Sequence, residues 1–164
     1  MSAIPPQPIR LSLASTPAHL PIVRAGVGEI ARLVGFDEKA VDAVVLAVDE
    51  AMTNIIKHAY DGRNDQPIEA AFTALSEAAD GGPAGLTIVL EDRGKPVDPA
   101  AVRSRDLDDV RPGGLGVHIM GCCMDRVDYT PREGGGTRLT MTKFLRAADK
   151  PGARQPQLTG GTRG

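Results

Sequence analysis

The sequence predicts an α+β fold: a two-layer sandwich in which helices cover one face of a single mixed, mostly antiparallel sheet. Two observations predict it. Apolar residues recur at helical spacing in some segments and alternate at strand spacing in others, in the order β-α-α-β-β-loop-α-β-β. The helices are therefore grouped along the chain, and neighbouring strands are joined by short, turn-rich connections, as antiparallel pairing requires. The length, 164 residues, suits one domain rather than two.

Each element can be justified in turn. Residues 1–9 are Pro-rich and are expected to be disordered; the folded domain is expected to span 10–146. RLSLAST, residues 10–16, alternates and reads as a strand. Thr16 followed by Pro17 is a helix start, because Pro at the first helical position gives up no needed N–H. Leu20, Val23, Val27, Ile30 and Val34 mark one face of that helix, and Gly35 ends it. Asp37 reads as the cap of a second helix running to about Tyr60. DGRNDQP, 61–67, is a loop; IEAAFTAL, 68–75, and GLTIVLED, 85–92, are strands joined by SEAADGGPA. Residues 93–113 show neither period, and loops of that length in a small domain are usually functional. A third helix, 115–125, opens after Gly113-Gly114, and RVDYT and TRLTMTKFL form a hairpin around PREGGG. The tail, 147–164, is rich in Gly, Pro, Gln and Arg and is expected to be disordered.

Composition excludes several classes. Hydrophobic residues make up 41% and aromatic ones 3%, so the expected core is aliphatic. A formal net charge of -2 gives no electrostatic case for nucleic acid or an anionic membrane. No stretch approaches the roughly 20 apolar residues of a membrane helix, and MSAIPPQPIR lacks the plan of a secretory signal. Cys122 and Cys123 are adjacent, without the spacing of a metal site or disulfide framework. A cytoplasmic location is the simplest expectation.

Three short stretches carry candidate chemistry. The first is DEAMTNIIKHAY, 49–60. At about 100° per residue from Glu50, Asn54 falls at about +40°, Lys57 at about -20° and Thr53 at about -60°. Val41, Val44, Val45, Val48, Met52, Ile55, Ile56 and Ala59 fall on the opposite half. A solvated face explains such a stripe. Asn and Thr in mid-helix are less usual on one, and a carboxylate and an amide oxygen four residues apart share one space. That pair suits a water or hydroxyl beside a hard cation such as Mg²⁺. The second stretch is LTIVLED, where Asp92 continues the parity of Leu86, Ile88 and Leu90. Either the strand ends first and Asp92 opens a turn with Gly94, or a core-facing carboxylate needs a donor, such as the exocyclic amino group of a purine. In that case Gly94 lets the backbone approach a flat ring. The third stretch is RPGGLGVHIM, glycines at a helix start, where free N–H groups and the helix dipole favour phosphate. Gly-rich turns also precede many ordinary helices.

Taken in order, these stretches resemble the boxes of the GHKL (Bergerat-fold) ATPases, and within them the bacterial anti-sigma-factor serine kinases, over roughly residues 10–145. DEAMTNIIKHAY resembles the N box, which implies Glu50 as general base and Asn54 as the Mg²⁺ ligand. EDRGKP resembles the G1 box, which implies Asp92 at the adenine amino group with Gly94 beside the base. GGLGVHIM resembles the G2 box, which implies phosphate contacts at Gly114, Leu115, Gly116 and Val117. GGGTRLTM resembles the last box and places Thr137 near the adenine; Lys57 is a further implied phosphate contact. Residues 95–113 correspond to the ATP lid. Lys95-Pro96 replaces the last Gly of the wider family's Asp-x-Gly-x-Gly, a variation that points to the anti-sigma branch.

The resemblance implies a serine/threonine protein kinase that uses Mg·ATP to phosphorylate a STAS-domain anti-anti-sigma partner and also sequesters a sigma factor. Members commonly form homodimers. Three alternatives stay open. A binding module would hold ATP and a partner without transfer, keeping Asp92, Gly94 and Gly116 and leaving Glu50 idle. A detached histidine-kinase catalytic domain would need a phosphoacceptor His, whereas His19, His58 and His118 read as ordinary residues of the fold. An interaction protein without nucleotide would make the boxes coincidental.

Overall fold

A computed structural model describes residues 7–77, 82–97 and 115–146. The expected disorder of the tail lies outside these residues, as does that of the N-terminus apart from 7–9. So do most of the expected lid, 98–113, and Gly114. Five strands form one sheet in the order β1-β2-β3-β5-β4. They are β1 (Ile9–Ala14), β2 (Pro67–Leu75), β3 (Gly85–Glu91), β4 (Arg126–Pro131) and β5 (Thr137–Phe144). The helices are α1 (Leu20–Val34), α2 (Glu38–Asn54) and α3 (Leu115–Cys123). None among the described residues is long and apolar enough to cross a membrane.

The sandwich is as expected, with one narrowing: every strand pair among the described residues is antiparallel, so the sheet is not mixed. The reason lies in the connections. The α1–α2 pair carries the chain out and back between β1 and β2, so β2 returns opposite to β1. The hairpin β4–β5 docks through its second strand, so β5 lies against β3 (Leu90 opposite Leu139, Glu91 opposite Arg138). The end of β3 and the start of β5 are thereby neighbours, and the site forms there.

Local signals account for the helix ends. Thr16 accepts from the Ala18 amide and opens a 3-10 turn, Pro17–His19, that leads into α1. Gly35 closes α1 with φ 106°, its N–H reaching the carbonyls of Ala31 and Arg32. Asp37 caps α2 through the Ala40 amide at 2.8 Å. Past Asn54 the winding changes: Ile55–Ala59 is a π-helical turn, with the Tyr60 amide on the Ile55 carbonyl at 3.0 Å. Helical structure thus reaches Tyr60 as expected, but the regular 100° step stops at Asn54 because the hydrogen bonds lengthen to i→i+5.

One face of the sheet and the inner faces of the helices make the core. Ile68, Ala70 and Phe72 of β2, Leu86, Ile88 and Leu90 of β3, and Leu139 and Met141 of β5 are buried. They meet Val23, Val27, Ile30 and Val34 of α1, Val41, Val44, Val48 and Met52 of α2, and Met120 of α3. Each fully buried aliphatic side chain contributes roughly 1.5–3 kcal/mol by leaving water. This packing holds α2 rigidly between α1 and α3, and so fixes the polar face of α2.

Candidate functional site

On the polar face of α2, Glu50 and Asn54 stand four residues apart, both half-buried. Their neighbour Asp49 is committed to Arg24 at 2.6 Å. Among the described residues neither Glu50 nor Asn54 gives its side chain to a hydrogen bond or ion pair. The first turn of α3 lies against them. A Cβ on Gly116 would sit 2.9 Å from Glu50 Oε2 and 3.1 Å from Asn54 Nδ2, so only a glycine leaves both side chains where they are. Among the described residues there is no group of three or more His, Cys, Asp or Glu fit to hold a metal. A cation here would take the Asn54 Oδ1 and draw its remaining oxygens from ligand and water, the habit of Mg²⁺ rather than of a closed protein cage.

At the other end, β3 stops at Glu91 and Asp92 turns out of it, yet Asp92 remains 3% exposed. Asp92 thus opens a turn with Gly94, as one reading had it, and its carboxyl is nevertheless buried. Oδ1 accepts from the Gly94 amide at 2.8 Å, while the Asp92 carbonyl accepts from Arg132 Nη1 at 3.0 Å. Burial pushes the carboxyl above the usual aspartate range; the Gly94 and Thr137 amides and the Arg132 guanidinium pull part of the way back. Gly94 is pressed on the end of the π turn, where an added Cβ would lie 2.6 Å from the Ala59 carbonyl carbon. Gly136, at φ 87°, is pressed on the same loop from the hairpin side, 2.7 Å from Arg93 Cα by the same measure. The glycine of the expected base-binding box is thus required by backbone packing, whatever ligand it also admits.

Between these ends lies a cavity of about 340 Å³. Ala51, Asn54, Ile55, His58 and Ala59 form its helical wall; Asp92, Thr137, Leu139 and Tyr129 come from the sheet side; Lys95, Pro96 and Val97 form a rim opposite Val117. Thr137 is buried, and its hydroxyl accepts from the Val97 amide at 3.0 Å. The expected residues Asn54, Asp92, Val117 and Thr137 line this one space. Gly94 and Gly116 shape its walls, and Glu50 stands beside Asn54 against Gly116. Lys57 is exposed and is not in the lining. Leu115 begins α3, but its side chain and Gly114 lie outside the described residues.

Sequence reasoning missed His58, which the π turn brings to the wall, together with Tyr129 and Leu139. It also missed Tyr60 and Arg132, which hold the Asp92 loop from behind. The i+4 spacing of His58 from Asn54 was the available signal; for Tyr129 and Arg132, contacts set by the strand order, there was none.

Residues 13–143 match the histidine kinase-like ATPase domain family. The chain is 28% identical over 148 residues to the serine-protein kinase RsbW of Halalkalibacterium halodurans, covering 85% of each. It is 30% identical over 139 residues to the serine-protein kinase RsbW of Listeria monocytogenes serotype 4a, covering 84% of this chain and 87% of the relative. In fold it is similar to the crystal structure of the RsbU and RsbW domains of a Mycobacterium tuberculosis protein, with a TM-score of 0.58 at 22% identity. That match covers 86% of this chain and spans 33% of the solved one. The chain belongs to the histidine kinase-like ATPase domain family, on the branch of the RsbW anti-sigma-factor serine kinases.

Proposed function

We propose that this chain is a serine/threonine protein kinase. It would bind ATP with Mg²⁺ and phosphorylate a Ser or Thr of a STAS-domain anti-anti-sigma partner, and it would sequester a sigma factor as its other role. The observation that carries the reading is a cavity with Asn54 at one end and Asp92 at the other, with Glu50, unpaired among the described residues, beside Asn54. The relatives named serine-protein kinases support it.

Each residue has a separable task. The Asp92 carboxylate accepts from the exocyclic amino group of the purine, and Thr137 closes the adjacent wall. Asn54 Oδ1 would hold Mg²⁺. When bound, that ion neutralises charge across the phosphates, which is most of what phosphoryl transfer asks of a site. Glu50 takes the proton of the incoming hydroxyl as the new O–P bond forms and the bond to the departing ADP breaks. The start of α3, at Leu115, Gly116 and Val117, offers amides to the phosphates, and the amide of Gly114 is assigned the same task from the sequence. Lys57 adds a longer-range positive charge.

The test is transfer of label from Mg·[γ-³²P]ATP to a STAS-domain partner by wild type and Glu50→Ala. Removing a general base lowers transfer by about 10²- to 10⁴-fold, and ATP affinity should hold. Undiminished transfer by Glu50→Ala would overturn the assignment of the base. ATP binding by wild type with no transfer would leave an ATP-gated binding module in place of a kinase.

A further inference from the structure

Every backbone amide of the Asp92 turn, from Asp92 to Lys95, has an acceptor. Asp92 N–H donates to the Thr137 carbonyl at 3.0 Å, Lys95 N–H to the Ala59 carbonyl at 3.0 Å, and Gly94 N–H to the Asp92 side chain. The remaining amide of the turn, Arg93 N–H, donates to the hydroxyl of Tyr60 at 2.7 Å. Tyr60 is 1% exposed and itself donates to the Pro67 carbonyl at 2.5 Å. Because its one proton goes to Pro67, the oxygen must present a lone pair to Arg93.

The peptide plane between Asp92 and Arg93 is therefore fixed on both edges. Its carbonyl is held by Arg132, and its N–H by Tyr60. With the Asp92 N–H tied to β5, the carboxyl keeps only its own side-chain rotations, and Gly94 N–H takes those up. Tyr60 sits immediately after the π turn that carries His58 and Ala59 into the cavity wall. It is thus a buried side chain that ties the helix bearing Asn54 to the loop bearing Asp92; the Lys95–Asp61 ion pair, which joins the same segments, is exposed.

We propose that Tyr60 is a positioning residue for purine discrimination: its hydroxyl fixes the Asp92–Arg93 peptide and thereby aims the Asp92 carboxyl at the purine amino group. This rests on the reading of Asp92 as the purine acceptor. Burial also pushes the phenol above the ordinary tyrosine range, so it stays a donor to Pro67 across the physiological range.

The experiment compares binding of Mg·ATP with Mg·purine riboside triphosphate, which lacks only the amino group. In wild type the ratio of the two affinities should be roughly 10- to 100-fold, the worth of one charge-assisted hydrogen bond. Tyr60→Phe should bring that ratio down by about tenfold and leave affinity for the amino-less nucleotide unchanged. A purely structural role would weaken both nucleotides alike and leave the ratio standing, which overturns the proposal. A wild-type ratio near one would instead overturn the reading of Asp92 itself. Should Tyr60→Phe not fold, 3-fluorotyrosine at position 60 keeps the ring and hydroxyl but weakens the acceptor. The ratio then falls in the same sense, and an unchanged ratio again overturns the proposal.

Discussion

At the Asp92 end of the cavity the backbone amides of residues 92 to 95 and of Val97 all have acceptors, and two glycines are locked against main chain. At the Glu50–Asn54 end the polar side chains have no partner among the described residues, and the glycine that faces them, Gly116, meets only side-chain tips. One end is finished by the fold before any ligand arrives; the other is held in place by α2, its side chains unpaired among the described residues. The difference suits their tasks. Discrimination of a flat base needs a fixed acceptor, and phosphoryl transfer needs groups free to take a cation and a proton.

The comparison can be broken at either end. The largest effect is expected at the open end. Glu50→Gln should reduce transfer by about 10²- to 10⁴-fold, read as initial rates of partner labelling, with thermal stability unchanged because that carboxylate has no hydrogen-bond or ion-pair partner among the described residues. Next comes Asp92→Asn at the finished end. ATP affinity should fall roughly 10- to 100-fold with loss of a charge-assisted hydrogen bond, while the protein becomes more stable. The sign follows from burial. The folded-state pKa of Asp92 is raised, so the folded chain holds this proton more tightly than the unfolded one, and stability falls as pH rises from the ordinary aspartate range through the raised value. Asn retains the oxygen for Gly94 N–H and removes that penalty. Melting temperatures of the two proteins should therefore diverge with rising pH and run parallel above that window.

A matched pair of glycine substitutions sharpens the contrast. Gly94→Ala drives a Cβ into the Ala59 main chain and should cost about 1–3 kcal/mol, seen as a lower denaturation midpoint. Gly116→Ala meets only the ends of Glu50 and Asn54 and gains helix propensity of up to about 1 kcal/mol. Its midpoint should hold or rise while transfer drops, since both side chains must swing away. Equal loss of stability in the two variants would erase the distinction between the ends. The smallest effect is expected for Lys57→Ala, within about twofold in ATP affinity, as for an exposed side chain outside the cavity. A larger loss would show that this amine reaches the phosphates.

Much of this arrangement is legible in the sequence. The apolar stripes of α1 and α2, the caps at Thr16 and Asp37, and the β4–β5 hairpin are local signals, and local signals survive folding. Asp92 was legible as a conflict, a carboxylate on a core parity, though not its resolution as a turn that stays buried. The π turn was not legible, because its i→i+5 bonding is chosen by packing around Ala59 and Tyr60 rather than by period. The placement of β5 against β3 was likewise not written locally, and with it went the wall contributed by Tyr129 and Leu139 and the clasp of Arg132 on the Asp92 carbonyl.

The central claim is that this cavity is a nucleotide site read by Asp92. Its most direct test is a calorimetric titration of Mg·ATP into wild type and Asp92→Asn, both confirmed folded. The account predicts one saturable site in wild type and an affinity roughly 10- to 100-fold weaker in the variant. Equal affinity in the two proteins, or no binding by wild type, would contradict it.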